Sequence, residues 1–472
     1  MRKIFLCVSI AVFALTSCAS GNSNIISSSE IKKENISSDE VSHEESGEDT
    51  VIHLAFSGMT YKVGDIDPVM AFNEADNGYK IELIDYSEYY DVVNNSPYGE
   101  VYECPDNQVF IDIMQGKQID ILPNFFVEKS KYISLAEKGA FLDLNQFLEA
   151  DEEINRETLN SHVLDLCQIN DDLYFLPLSY TVDTLYGAEE YVGSDTNWTF
   201  EDMKKKWEQM PENAYFSGTM GTNSIDSVYY TLIGVNLSSF INYNDLTCNF
   251  NSKEFIDVLD FVCQFDKPLY YKADYESDIR FVYEASLCGF IQFHNTNWSP
   301  NNVKYTFVGY PSYEGSKSLV EIMDAFAINS NSAPEVQKGA WEFLKFLSSI
   351  DYQYEMMKPG KVVNYSGEEI EYSEEICFPI NNEAFDKRAE EAFEMDGHVT
   401  VRQVEQDRGH FTQEEYEQLK SIINNTNQLA YFSDSSMEKL INDSLVDIGN
   451  REKTSEEIAE LFQNKIFIMI NE

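Results

Sequence analysis

From Val51 onward the apolar positions switch repeatedly between a spacing of two and a helical spacing. Val51–Phe56 is a short apolar run that predicts a buried strand, and Tyr79–Tyr86 alternates apolar and polar as a strand does. Between them Pro68–Ala75 predicts a helix. Val109–Met114 reads as a helix end stopped by Gly116, and Ile119–Leu122 opens another strand. Leu173–Leu178 follows as a strand, Phe200–Gln209 as a helix with Thr199 as its N-cap, and Glu254–Phe265 as a further helix. Pro334–Leu347 places Val336, Ala340, Phe343, Leu344 and Leu347 on one helical face. A last helix carries Ile458, Leu461, Phe462 and Ile466 at the same spacing. No fixed-period repeat is present. Strand and helix alternating in this way predict an α/β architecture with parallel-rich sheets. At 100–200 residues per domain, a folded part of about 420 residues predicts two lobes.

Residues before Val51 break this pattern. Arg2 and Lys3 precede a twelve-residue apolar run, Ile4–Leu15, which is closed by Thr16, Ser17 and Cys18. A bilayer span needs about 20 apolar residues, so the run reads as a secretory signal over residues 1–17. Leu15-Thr16-Ser17-Cys18 resembles the lipobox of bacterial lipoproteins, in which the cysteine becomes the acylated N-terminus. The resemblance implies that Cys18 is anchored by acyl chains, palmitate among them, on the outer face of the cell membrane. Residues 18–50 then serve as a tether: they are rich in Ser, Glu and Asn and lack aromatic residues, so they bury too little surface to fold. As a random coil they reach roughly 30 Å.

Charge removes one class of partner. The formal net charge is −49, and the largest basic cluster is Lys204-Lys205-Lys206, so nucleic acid is excluded. Cys104, Cys167, Cys248, Cys263, Cys288 and Cys377 form no CxxC pair, and the apolar surroundings of Cys263 and Cys288 favour buried thiols over disulfides. HExxH, GxSxG, GxxxxGK, GxGxxG and EF-hand patterns are missing, and the six histidines make no i, i+4 pair. No catalytic residue, metal or cofactor is therefore assigned. With 31 Phe and 29 Tyr, core packing is the default role of any one aromatic residue.

The order of several segments is similar to that of the family 1 extracellular solute-binding proteins of carbohydrate ABC importers, the maltose-binding-protein-like group. The segments are Val69–Glu82, Gly116–Leu122, Leu173–Tyr180, Asn197–Asp202, Ala340–Leu347 and Phe378–Phe385. The resemblance implies two α/β lobes with a hinge and a ligand cleft between them, lobe 1 from 51–181 plus 327–378 and lobe 2 from 182–326 plus 379–472. It places the crossings near Tyr180–Asp183, Asp324–Ala327 and Phe378–Ile380. It further implies a monomer that captures a mono- or oligosaccharide and delivers it to membrane permease subunits.

Sugar recognition needs aromatic faces for C–H surfaces and a few fixed polar groups for hydroxyls. Asn124, Phe125 and Phe126 follow a strand end; Tyr180 and Asp183 lie at the first crossing, and Asp324 at the second. Gly289–Trp298 resembles the strand and loop that supply an aromatic platform, which adds His294, Asn295 and Trp298. Trp198, Trp207 and Trp341 read as packing residues. Two rival readings stay open: a surface glycosidase using two carboxylates about 5–10 Å apart, and a receptor-like lipoprotein.

Overall fold

The structure is a computed structural model. It describes residues 49–56, 67–86, 91–96, 99–103, 106–124, 129–212, 214–216, 225–234, 237–265, 279–297, 303–356, 358, 361–363, 369–371, 375–401, 404–430 and 435–471. Nine strands form its main sheet: β1 (Thr50–Phe56), β2 (Tyr79–Asp85), β3 (Ile121–Pro123), β4 (Leu176–Ala188), β5 (Tyr283–Leu287), β6 (Tyr305–Phe307), β7 (Leu319–Ile328), β8 (Phe378–Pro379) and β9 (Gln428–Leu429). The spatial order is β6-β4-β7-β3-β1-β2, with β5 and β8 also beside β4 and β9 beside β7.

At one end, β1 pairs in parallel with β2 from Thr50↔Tyr79 to Phe56↔Asp85, and with β3 at Leu54↔Ile121. Parallel neighbours need a crossover. Pro68–Glu74 supplies a helix between β1 and β2, its first turn capped by Asp67, which accepts from the Met70 backbone N–H. The helix buries Phe72 edge-on against Phe343, with ring centroids 5.1 Å apart. Phe343 belongs to the helix Pro334–Leu347, where Pro334 occupies the first turn as predicted. Gly339 lets that helix lie close on the sheet: a Cβ there would come within 2.3 Å of Tyr79 and 2.7 Å of Ile52.

Two long strands carry the chain between its halves. β4 pairs antiparallel with β7, from Asp183↔Leu319 to Leu176↔Phe326, with an irregularity between Ile322 and Ala325. One end of β7 continues onto β3 (Phe326↔Pro123), and its other end onto β9 (Leu319↔Gln428). Across β4 lie β8 (Phe378↔Tyr180) and β5 (Asp183↔Ser286). The sequence predicted a strand only to Leu178; pairing with four partners extends β4 to Ala188.

Buried apolar residues form two clusters. One contains Ile52, Leu54, Ile121, Trp341 and Leu344, and continues to Phe290, Phe293 and Phe411. The other contains Leu185, Trp198, Phe200, Phe216, Phe281 and Phe462. The segment 379–472 is divided between them: Phe385, Leu419 and Ile423 join the first, and Met437, Ile458 and Phe462 the second.

Two predictions are corrected. The main sheet is mixed, not parallel-rich, with five antiparallel and three parallel pairings among the described strands. Phe290–Asn297 is a helix, not a strand and loop. Phe290 and Phe293 are spaced for one helical face and pack there, Phe293 stacking on Phe307 at 5.1 Å and Phe290 edge-on against Phe385 at 4.9 Å.

Candidate ligand site on the crossing strands

Strand alternation sorts the crossing residues into two faces. Along β4, Leu178, Tyr180 and Val182 point into the first core, while Ser179, Thr181 and Asp183 point the other way. Register adds partners to the polar face, because directly opposed residues share a side. Glu321 lies opposite Thr181 and Asp324 opposite Ser179 on β7. On β5, Ser286 lies opposite Asp183 and Glu284 opposite Leu185.

Hydrogen bonds satisfy part of this row. Ser179 Oγ donates to Asp324 Oδ2 at 2.8 Å. The Thr231 hydroxyl donates to Glu284. Thr181 is 3% exposed, and its Oγ1 is buried with no hydrogen-bond partner among the described residues. Burial, with the nearby Glu321 and Glu284, pushes the Asp183 carboxyl up to about 8, against a lowering bond from Ser286. Burial likewise raises Glu321, and raises Glu284 despite its bond from Thr231. Asp324 is raised by burial against the Ser179 bond. The Tyr310 hydroxyl is raised by burial and then by Asp183, Glu284 and Glu321.

A cavity of about 420 Å³ opens at the edge of the same crossing. One wall is Asn124, Tyr132 and Cys167–Ile169, and the other is Ile241–Asn244 with Gln428. Its rim is held by the Asn170 backbone N–H donating to Asn244 Oδ1 at 3.4 Å, and by Ser239 Oγ donating to Gln428 Oε1 at 3.3 Å. The lining mixes side-chain amides with the Tyr132, Phe175 and Tyr243 rings.

The sequence-predicted residues scatter. Asp183 and Asp324 lie together on the polar face. Asn124 lines the edge cavity and accepts from the Ala325 backbone N–H at 3.1 Å. Tyr180 is corrected to a core residue: it is 1% exposed, packs on Phe378 at 5.7 Å, and its hydroxyl accepts from Asn160 Nδ2 at 3.1 Å. His294 is buried on the helix Phe290–Asn297, where its Nδ1 meets Glu415 Oε1 at 2.9 Å, a partner that helps hold the Glu415 carboxyl down against burial. Asn295 sits half-buried on the same helix. Phe125, Phe126, Trp298 and Cys18 lie outside the described residues. Trp198 and Trp341 pack as expected, their Nε1 atoms donating to Gly309 O at 3.1 Å and to Asp151 Oδ2 at 3.0 Å.

The sequence reading missed Thr181, Glu284 and Glu321. The alternation Leu178-Ser179-Tyr180-Thr181-Val182-Asp183 carried the signal for the first, whereas the two glutamates join only through register. No group of His, Cys, Asp and Glu among the described residues is gathered to hold a metal ion. No described helix is long and apolar enough to cross a membrane.

Among solved structures, the sugar-binding protein MalE from Xanthomonas citri is 8% identical with a TM-score of 0.52, over 89% of this chain and 98% of that one. A periplasmic oligogalacturonide binding protein from Yersinia enterocolitica is 13% identical with a TM-score of 0.52, over 89% and 99%. A de novo designed cysteine esterase is 13% identical with a TM-score of 0.54, over 90% and 99%. The fold is that of two-lobed solute-binding proteins. The crossing strands β4 and β7 belong to that fold, which also appears in a designed esterase. No protein-family model and no curated protein sequence matches the chain.

Proposed function

We propose that this chain is a solute-binding lipoprotein, anchored through Cys18, that captures a carbohydrate between its two lobes and delivers it to an ABC permease. One lobe gathers about the core of Ile52 and Trp341 and the other about that of Trp198 and Phe462, with 379–472 divided between them instead of belonging whole to the second, and the protein acts as a monomer. The observation that carries the reading is the polar face of β4 and β7, with its buried Thr181 hydroxyl lacking a partner. Burying hydroxyls and carboxyls with few partners costs stability. A solute rich in hydroxyl groups would supply the missing hydrogen bonds. Two bodies joined by crossing strands can close on such a solute by hinge rotation and present a changed surface to a permease. Lipid anchoring raises the local concentration of the binder beside that permease.

The chain works without chemistry in this reading. Thermal-shift screening against mono- and oligosaccharides tests it, since a ligand at 100 times its dissociation constant adds about 2.7 kcal/mol. The stabilising sugar should shrink the radius of gyration in solution scattering and be recovered unchanged. Recovery of cleaved sugar with catalytic amounts of protein would replace this reading with the glycosidase. Cys18→Ala should leave the protein unprocessed or released from membranes; membrane fractionation with unchanged mature mass would overturn the anchor.

A further inference from the structure

The polar face carries more carboxyl groups than a neutral sugar needs. Asp183 on β4, Glu321 on β7 and Glu284 on β5 converge from three adjacent strands. Thr181 and Glu321 are directly opposed, and Asp183 follows two residues along β4 on the same side. Opposed side chains in such a sheet have Cβ atoms about 5 Å apart, and diagonal ones about 7–8 Å. The groups acting on these carboxyls are one another, Ser286 and Thr231, with Tyr310 packed beside them. Among the described residues none of the three makes an ion pair with Lys, Arg or His. Asp183 is buried, Glu321 half-buried and Glu284 exposed at the border of the face, so the three carboxyls line a face that grades from the interior to solvent with no described counter-charge. Like charges at this range repel, most strongly toward the buried end.

Thr181 Oγ1 is the independent sign that something is missing. It lies between Ser179 and Asp183 on the same face, is 3% exposed, and has no partner among the described residues. A metal ion does not fit, since no described acids are gathered closely enough to ligate one. A larger cation with hydrogen-bond donors spread over several ångströms does. The net charge of −49 favours the same class, because an acidic surface concentrates cations around the protein.

We propose that the captured solute is an amino sugar, its ammonium group seated among Asp183, Glu321 and Glu284 and one of its hydroxyls bonded to Thr181 Oγ1. This rests on the reading of the crossing strands as a ligand floor, and it narrows carbohydrate to cationic carbohydrate. Docking the ammonium group favours the carboxylate form of Asp183, whose carboxyl is otherwise raised to about 8, so binding near pH 7 releases a proton to solvent.

The test uses the full chain and a panel that pairs neutral sugars with amino counterparts: glucose with glucosamine, galactose with galactosamine, cellobiose with the deacetylated chitin disaccharide. Melting temperature and calorimetry are read near pH 7, the latter in two buffers of different ionisation enthalpy. An amino member should raise the melting temperature while its neutral partner does not, with net proton release. Glu321→Gln should weaken that binding at least tenfold while leaving the unliganded melting temperature unchanged or higher. Glu284→Gln serves as the second variant if Glu321→Gln fails to fold. A neutral sugar that binds as well as its amino partner, unaffected by either variant, overturns the cationic class and leaves carbohydrate capture standing. A panel in which no member shifts the melting temperature overturns both.

Discussion

The two faces of β4 and β7 share one backbone and do opposite work. On one face Leu178, Tyr180, Val182, Val320 and Ile322 are buried in a continuous apolar cluster, closed by Phe378 against Tyr180. On the other, Ser179, Thr181 and Asp183 are buried and Glu321 and Asp324 half-buried, yet their polar atoms find few partners among the described residues. The first face fixes the two strands together. The second leaves hydrogen-bonding capacity unspent, which the proposed ligand would take up. Burial alone therefore does not separate structure from function here; satisfaction of the buried groups does.

The largest expected contrast is on the apolar face. Tyr180→Ala removes a buried ring and should cost about 3–5 kcal/mol of stability, seen as a large fall in melting temperature. Whatever protein remains folded should bind with near-normal affinity. A strong affinity loss in a variant that melts normally would put Tyr180 back among the ligand contacts.

Next in size is a pH effect on the polar face. The Asp183 carboxyl is raised from its ordinary 3.8 to about 8. Between those values the folded state holds a proton that the unfolded state has lost, so stability of the unliganded protein falls as pH rises. Carboxyls held low, such as Asp112, where bonds from Lys117, Tyr86 and Gln108 outweigh burial, act in the opposite sense only in more acid solution. Denaturant melts from pH 5 to pH 8 should show decreasing stability, and Asp183→Asn should flatten the slope. A slope unchanged by Asp183→Asn would mean that Asp183 titrates normally.

The smallest effect is the most selective. Thr181→Val keeps shape and removes the unpartnered hydroxyl, so the unliganded protein should gain about 1 kcal/mol. A loss of that size would show that Thr181 Oγ1 has a structural partner.

Much of the scaffold was legible because its signals are local. Pro334–Leu347 begins and ends where Pro334 and the stripe through Leu347 predict. Thr199 caps the helix Phe200–Trp207 in a reciprocal box with Asp202. The site was less legible because it depends on parity and pairing. Tyr180 and Thr181 are neighbours in sequence, and only the register Tyr180↔Phe378 and Thr181↔Glu321 decides which faces the core. Glu284 and Glu321 lie far from Asp183 in sequence, so nothing local announces their meeting. His294 was misread for another reason: helical spacing of Phe290, Phe293 and His294 overrides the strand-like composition of the run.

The claim that the polar face, not the edge cavity, reads the solute is tested most directly by calorimetry of the stabilising sugar on two single variants. Thr181 lies at the centre of the face, and Tyr243 lines the cavity. A binding hydroxyl left without its partner costs about 1.4 kcal/mol or more, a factor of ten. Thr181→Val should therefore weaken binding about tenfold, while Tyr243→Ala changes it less than about twofold. The reverse result, full affinity in Thr181→Val and a collapse in Tyr243→Ala, would move the ligand to the cavity and contradict this account.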